Sequence, residues 1–115
     1  MLWAKIRTTA LSAMRNSQNL YPFDIVQGSR EIIPYYVNIF NLGTPSNPTG
    51  SVLRLSDNVD ITNTVMPAGS TTVSGTTIIL KPISGLSPRE RYRVNVLYEI
   101  GSNRFDNYFF IRCEI

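Results

Sequence analysis

Residues 86–113 read LSPRERYRVNVLYEIGSNRFDNYFFIRC, the clearest structural pattern in this chain. Within this stretch, residues 91–99 and residues 104–113 both alternate between inward and outward side chains with a period of two, which is typical of β-strands that bury one face. Gly101-Ser102-Asn103 separates the two runs and suits a tight turn, so the stretch predicts a β-hairpin. The predicted inward side chains are Tyr92, Val94, Val96, Tyr98, Phe105, Asn107, Phe109, Ile111 and Cys113.

The sequence upstream of the hairpin also indicates short strands separated by turns. Residues 32–41 alternate, and the predicted inward side chains there are Ile33, Tyr35, Val37 and Ile39. Residues 43–50, rich in Gly, Pro and Asn, are predicted to form a loop. Further strands are predicted at residues 23–27, 51–55, 61–65 and 76–81. About seven short strands without a helix indicate an all-β fold, an antiparallel β-sandwich in one domain.

Residues 1–20 differ from the rest of the chain. The chain has 115 residues and a net charge of +3, and the whole excess comes from Lys5, Arg7 and Arg15, because residues 21–115 hold eight basic and eight acidic side chains. We therefore divide the chain into an N-terminal arm, residues 1–20, and a globular domain, residues 21–115. The arm has apolar residues at helical spacing but no cap before them, so a short helix and an extended arm both remain open. A basic, acid-poor transit peptide is a further reading of the same residues.

Charge and hydropathy limit the expected partners. A neutral globular domain does not favour general nucleic-acid binding. Lys5 and Arg7 interrupt the apolar stretch that could otherwise serve as a signal peptide. No apolar run approaches the length of about 18 residues that a membrane span needs, so no membrane partner is expected. The single Cys113 allows no internal disulfide, which favours assembly in a reducing cytoplasm, and we expect it to be an inward, inert thiol.

The sequence lacks several residue arrangements that known catalytic and metal sites use. Histidine is absent, which excludes Ser-His-Asp and Cys-His arrangements and imidazole ligands. One cysteine cannot form a structural zinc site, and no glycine-rich phosphate-binding motif occurs. Asp57-Asn58-Val59-Asp60 offers oxygen ligands, but it lacks the spacing of a calcium loop and is typical of a turn. The sequence therefore predicts a protein that is not an enzyme and holds no cofactor.

Four aromatic side chains are candidates for partner binding. If Tyr35 and Phe109 point inward, alternation turns their neighbours outward. Several exposed aromatics on one sheet are unfavourable in a free monomer, so we expect the arm, Tyr21 or a second subunit to cover them. The four aromatics are Tyr36, Phe40, Tyr108 and Phe110.

Arg89, Arg91 and Arg93 form a cationic row with two interpretations. The row either meets an acidic patch or a phosphate of a partner, or it is a solvated strand face that blunts edge pairing.

Leu86, Pro88 and Tyr92 resemble the Leu-x-Pro-x-x-x-Tyr corner of fibronectin type III and related immunoglobulin-like (Ig-like) domains. The resemblance covers residues 70–113 and implies an Ig-like sandwich in which the Tyr92 hydroxyl bonds to a backbone group a few residues upstream. We expect a backbone carbonyl to accept that bond. The second strand lacks the tryptophan usual in that family, so Tyr35 or Tyr36 would have to replace it.

The same run of strands and turns is similar to that of Ig-like accessory proteins of tailed bacteriophages. The resemblance implies a non-catalytic capsid decoration (cement) protein on the capsid surface of the virion, which binds the major capsid protein or another virion protein. A tail or fibre adaptor and a carbohydrate-binding module are alternatives, and a homo-oligomer remains open. In the arm, Trp3, Ile6 and Arg7 are the expected partner-binding residues.

Overall fold

The computed structural model describes residues 11–12, 20, 23–39, 43–67 and 69–114. These residues form two β-sheets with very little helix, so the predicted all-β class is confirmed. Among them no helix has the length and hydropathy that crossing a membrane requires. The elements are β1 (Leu11–Ser12), β2 (Ile25–Gly28), β3 (Tyr36–Asn38), β4 (Ser46–Arg54), β5 (Val59–Asp60), α1 (Thr62–Val65), β6 (Thr72–Ser74), β7 (Thr77–Ile79), β8 (Arg91–Ile100) and β9 (Asn103–Glu114).

The first sheet has five strands in the order β2-β9-β8-β4-β5 and is built around the predicted hairpin. Strands β8 and β9 pair antiparallel from Arg91 opposite Arg112 to Ile100 opposite Asn103. Strand β4 lies antiparallel on the other side of β8, and β2 lies parallel to β9. The hairpin strands therefore occupy interior positions of this sheet.

The second sheet has four strands in the order β1-β3-β7-β6. Strands β3, β7 and β6 pair antiparallel, whereas β1 is parallel to β3. An isolated bridge between Ile33 and Ile83 extends the pairing before β3. The alternation of residues 32–41 thus belongs to a shorter strand than predicted, since Pro34 cannot donate to a ladder.

One hydrophobic core lies between the two sheets. The rings of Tyr35 and Phe109, on opposite sides of it, have centroids 5.3 Å apart. Gln27 is the polar link across the core: its Oε1 accepts from the Tyr35 hydroxyl at 2.7 Å, and its Nε2 donates to the Ile83 carbonyl at 2.7 Å. The side chains predicted to point inward from residues 32–41 and from the hairpin are buried, except Phe105, which is half-buried. The buried members are Ile33, Tyr35, Val37, Ile39, Tyr92, Val94, Val96, Tyr98, Asn107, Phe109, Ile111 and Cys113.

The predicted loop at residues 43–50 is wrong, because Ser46–Gly50 is the first half of β4. A register shift between Ser46 and Thr49 accommodates Pro48 beside β8. Gly50 stands at a close approach between layers, where a Cβ would lie 3.2 Å from Leu80 Cδ2. Proline and glycine here mark a bulge and a tight contact within a strand.

The predicted strand at residues 61–65 is also wrong. Thr62–Val65 forms the short helix α1, whose first backbone N–H and hydroxyl, from Thr62, both donate to Asp60 Oδ1. Val65 and Met66 are buried in the core at the end of this turn.

Three residues of the segment assigned to the arm contact the two sheets. Leu11 and Ser12 pair with Val37 and Asn38 of β3. Leu20 is buried in the core and its N–H donates to the Tyr108 carbonyl at 2.8 Å. These three residues belong to the sandwich, whereas residues 1–10 and 13–19 lie outside the described residues.

Candidate protein-binding surface

The corner before β8 fixes how the hairpin presents its outer side chains. Leu86 and Tyr92 are buried, and Pro88 is exposed in the turn. The Tyr92 hydroxyl accepts a hydrogen bond from the Ser87 N–H at 2.8 Å, so the predicted bond to upstream backbone is present. Its direction is the reverse of the expectation, since an N–H donates to the phenol oxygen.

Because the inward residues of β8 and β9 are fixed by the core, the alternate residues form a continuous exterior surface. We call this surface the outer face of the five-stranded sheet. Its members on β8 and β9 are Arg91, Arg93, Asn95, Leu97, Glu99, Arg104, Asp106, Tyr108, Phe110, Arg112 and Glu114, with Asp24 beside them before β2 and Ser51 on β4.

Arg91 lies over the Phe110 ring, with the guanidinium carbon 4.8 Å from the ring centroid. Its Nε and Nη2 donate to the two carboxylate oxygens of Asp24 at 2.7 and 2.9 Å. These hydrogen bonds lower the pKa of Asp24 and raise that of Arg91. A bidentate ion pair stacked on an aromatic ring holds the guanidinium in one orientation.

Arg93 repeats the arrangement one step along the strand. Its guanidinium carbon lies 6.0 Å from the Tyr108 ring centroid, and its Nε donates to Asn95 Oδ1 at 3.0 Å. The Asn95 amide donates in turn to Asp106 Oδ1 at 3.0 Å. The Tyr108 and Phe110 rings pack edge to face at 5.7 Å. The arginine, aromatic and amide side chains of the outer face therefore form one network of contacts.

These contacts change the interpretation of the predicted site residues. Tyr36 lies on β3 of the four-stranded sheet and is 38% exposed, so the prediction that the aromatics share one sheet is wrong. Tyr108 and Phe110 are half-buried beneath Arg93 and Arg91, and the arginines are the cover that we expected from another segment.

The remaining predicted partner-binding residues, Trp3, Ile6, Arg7 and Phe40, lie outside the described residues.

The edge-blunting interpretation of the arginine row is wrong as well. Arg91 and Arg93 lie on β8, which is flanked by β9 and β4 and is not an edge strand. Sequence reasoning missed the role of Asp24 and the stacking of arginine on aromatic rings. The turn at residues 101–103 sets a register that places Arg91 and Arg93 diagonally to Phe110 and Tyr108, but alternation alone does not indicate these contacts.

A shallow open groove of about 340 Å³ adjoins the outer face near the hairpin turn. It is lined by Asn47, Thr49, Leu97, Tyr98, Glu99 and Arg104. The Glu99 carboxylate accepts from the Asn47 amide at 3.1 Å and from the Arg104 guanidinium at 3.1 Å, and these bonds lower its pKa. Glu99 thus forms hydrogen bonds with Asn47 and with Arg104, two other residues that line the groove.

The acidic residues of the turn at 57–60 are engaged in local contacts. Arg54 donates to both Asp57 carboxylate oxygens at 3.0 and 2.7 Å, and Asp60 binds Thr62. The turn interpretation therefore accounts for these carboxylates. No cluster of three or more potential metal ligands occurs within the described part of the chain.

Comparisons with protein-family models, with curated proteins and with solved structures found no match to this chain.

Proposed function

We propose that this chain is a non-catalytic Ig-like assembly protein of a tailed-phage particle, a decoration (cement) protein that binds the major capsid protein at the capsid surface. The observation that carries the proposal is the network of arginine and aromatic side chains on the outer face of the five-stranded sheet. Assembly would occur in the host cytoplasm, and the work would be mechanical: contact area shared with the shell resists its expansion.

Two features support the Ig-like assignment. The sheet orders β1-β3-β7-β6 and β9-β8-β4 correspond to the A-B-E-D and G-F-C orders of Ig-like domains. The buried Tyr92 bonds back to Ser87 at the corner that opens β8, as the tyrosine of that family does. The chain departs from a purely antiparallel sandwich at β1 and β2, each of which is parallel to its neighbour.

The chemistry of the outer face supports protein binding. Arginine and tyrosine are enriched among residues that dominate binding energy at protein interfaces. Immobilising a long side chain costs about 0.5–1.5 kcal/mol on binding. Arg91 and Arg93 are already held by Asp24, Asn95 and the rings beneath them, so much of that cost is met within the free chain.

The N-terminal residues are the second element of the proposal. Residues 1–10 combine Lys5 and Arg7 with the single tryptophan, Trp3. A buried indole is a common interface anchor, and ten extended residues reach about 33 Å. We propose that Trp3, Ile6 and Arg7 bind the capsid protein while the sandwich rests on the shell.

Cosedimentation with shells that lack this protein tests the proposal. Removal of residues 1–10, which stops before Leu11 of β1, should leave the melting temperature nearly unchanged and abolish cosedimentation. Trp3→Ala should lose a large share of the binding, whereas Ser74→Ala on exposed β6 should keep it. Unaltered binding by the truncated chain would reject the role of the N-terminal residues. Absence of binding by the full chain would reject the decoration role.

A further inference from the structure

The outer face of the five-stranded sheet divides into two halves of different charge. The Asn95–Tyr108 pair lies in the middle, with Ser51 of β4 in the same row. Towards the corner, the next two cross-strand pairs of the hairpin carry Arg93, Arg91 and Arg112, and Asp24 is the carboxylate bonded to Arg91. Towards the hairpin turn, the next two pairs are Leu97–Asp106 and Glu99–Arg104. The corner half also holds Glu114 of β9, whose carboxylate lies 3.8 Å from Arg112. The corner half therefore has three arginines and two carboxylates, whereas the half near the turn has two carboxylates, Asp106 and Glu99, and one arginine, Arg104.

We infer that two copies of this chain associate through their outer faces. A two-fold axis would lie between the two faces, perpendicular to β8 and β9 and level with the Asn95–Tyr108 row. With this axis, a row on the corner side of one copy faces the row at the same distance on the turn side of the other copy. Arg93 of one copy then lies opposite the Leu97–Asp106 pair of the second copy. A self-complementary surface of this kind is what an isologous dimer requires.

The outermost row fits the same arrangement. Arg91 of one copy faces Glu99 of the second, which adds an attractive contact to that of Arg93. Arg112 faces Arg104, but each of these arginines has its own carboxylate, Glu114 at 3.8 Å and Glu99 at 3.1 Å. Charge complementarity therefore favours the second copy in the antiparallel orientation.

The size and the centre of the face also suit a second copy. If each strand residue occupies about 16 Å² of sheet, the five strands present about 600 Å² per copy, near the lower end of the standard range for stable interfaces. Leu97 is 38% exposed and lies in the row that Arg93 of the second copy would cover. The aliphatic stem of the arginine would bury this leucine while its head meets Asp106.

The inference rests on the proposed function only in treating the outer face as a protein-binding surface; it gives that face to the second copy and leaves the capsid contact to Trp3, Ile6 and Arg7. Self-association is measured on the purified full-length chain, whereas capsid binding is measured on shells. A chain that dimerises but does not bind shells would reject the decoration role alone. A chain that binds shells but stays monomeric would reject the dimer alone.

A charge exchange between two variants tests the dimer. Arg93→Glu places a carboxylate in the row that faces Leu97 and Asp106, beside Asp106, at both junctions. Asp106→Arg likewise places a guanidinium beside Arg93 of the second copy at both junctions. Each variant should associate about a hundredfold more weakly or worse than the native chain, because like charges face each other twice. An equimolar mixture should restore the dimer, since both junctions then join opposite charges. Arg30→Glu, the same charge change in the exposed β2–β3 turn, should leave the native dimer intact.

Sedimentation velocity gives the masses, and near-ultraviolet circular dichroism verifies that each variant is folded. We expect the native chain and the Arg30→Glu control at twice the mass of one chain, the single variants at one mass, and the mixture at two. A native chain that stays monomeric up to about 1 mM overturns the inference. Dimeric single variants, or a mixture that stays monomeric, overturn it equally.

A chemical cross-link provides a measurement that does not depend on charge-reversed variants folding. Ser51 lies on the level of the axis, so Ser51→Cys would place a thiol opposite its own copy. A short bismaleimide should join two Ser51→Cys chains rapidly. Ser74→Cys, on the exposed strand β6 of the other sheet, should react with the reagent without forming dimers. Equal cross-linking of the two variants would contradict the proposed interface.

Discussion

Replacing Tyr92 and Tyr35 one at a time by phenylalanine compares how much a hydrogen bond at the corner and a hydrogen bond in the core stabilise the fold. Tyr92 is 1% exposed, and its hydroxyl accepts from Ser87, an exposed residue whose N–H water can reach after the change. Tyr92→Phe should therefore cost about 1 kcal/mol of unfolding free energy, the net value of one hydrogen bond. Tyr35 donates to Gln27 Oε1 inside the core, where both residues are fully buried. Tyr35→Phe should cost about 2 kcal/mol, because water cannot easily replace the lost donor.

Equilibrium unfolding in urea measures both changes. With a slope of about 1.5 kcal/mol/M, the midpoint should fall by about 0.7 M for Tyr92→Phe and about 1.3 M for Tyr35→Phe, with unchanged slopes. An unchanged midpoint for Tyr92→Phe would mean that the corner hydrogen bond does not form, and the Ig-like assignment would lose its main support. A larger loss at Tyr92 than at Tyr35 would refute the reasoning from burial.

Three further predictions concern titratable groups. The Cys113 thiol is buried and burial raises its pKa, so Ellman's reagent should label it slowly in the native chain and rapidly in urea; rapid native labelling would contradict the register of β9. Arg91 lowers the pKa of Asp24, so the ion pair stabilises the fold above the unfolded-state pKa of about 4, and this stabilisation is lost as the pH falls through the lower pKa of the folded chain. The difference in unfolding free energy between the native chain and Asp24→Asn should therefore disappear at acid pH. A difference that does not change with pH would argue against the pair. Burial raises the pKa of Tyr98 to about 12, so stability should fall between about pH 10 and 12, and Tyr98→Phe should flatten that decline in alkaline unfolding curves.

The hairpin and the inward faces could be predicted from sequence because two signals agreed there. Alternation fixed which side chains point inward, and the short turn at residues 101–103 fixed the register of β8 against β9. The corner was predictable because Leu86, Pro88 and Tyr92 occupy a spacing with a structural reason.

The errors arose where local composition and tertiary contacts disagreed. Residues 43–50 have the glycine and proline content of a loop, yet a bulge and a close contact with Leu80 place their second half in β4. Four of the five residues at 61–65 are β-branched, but Asp60 binds the first turn of α1 and Val65 enters the core from that helix.

The outer face was only half predicted for a related reason. Alternation showed that Arg91, Arg93, Tyr108 and Phe110 point outward, but it carries no information on diagonal contacts between strands. Asp24 joins the face through the parallel pairing of β2 with β9, which no short-range pattern indicates.

The number of copies of this chain per particle, measured by quantitative mass spectrometry on purified particles of the phage that carries this gene, tests the central proposal most directly. A decoration protein should be present in the particles in numbers comparable to those of the major capsid protein. A few copies per particle would instead indicate a tail or fibre adaptor, and absence of the chain from purified particles would contradict the proposal that it is a structural virion protein.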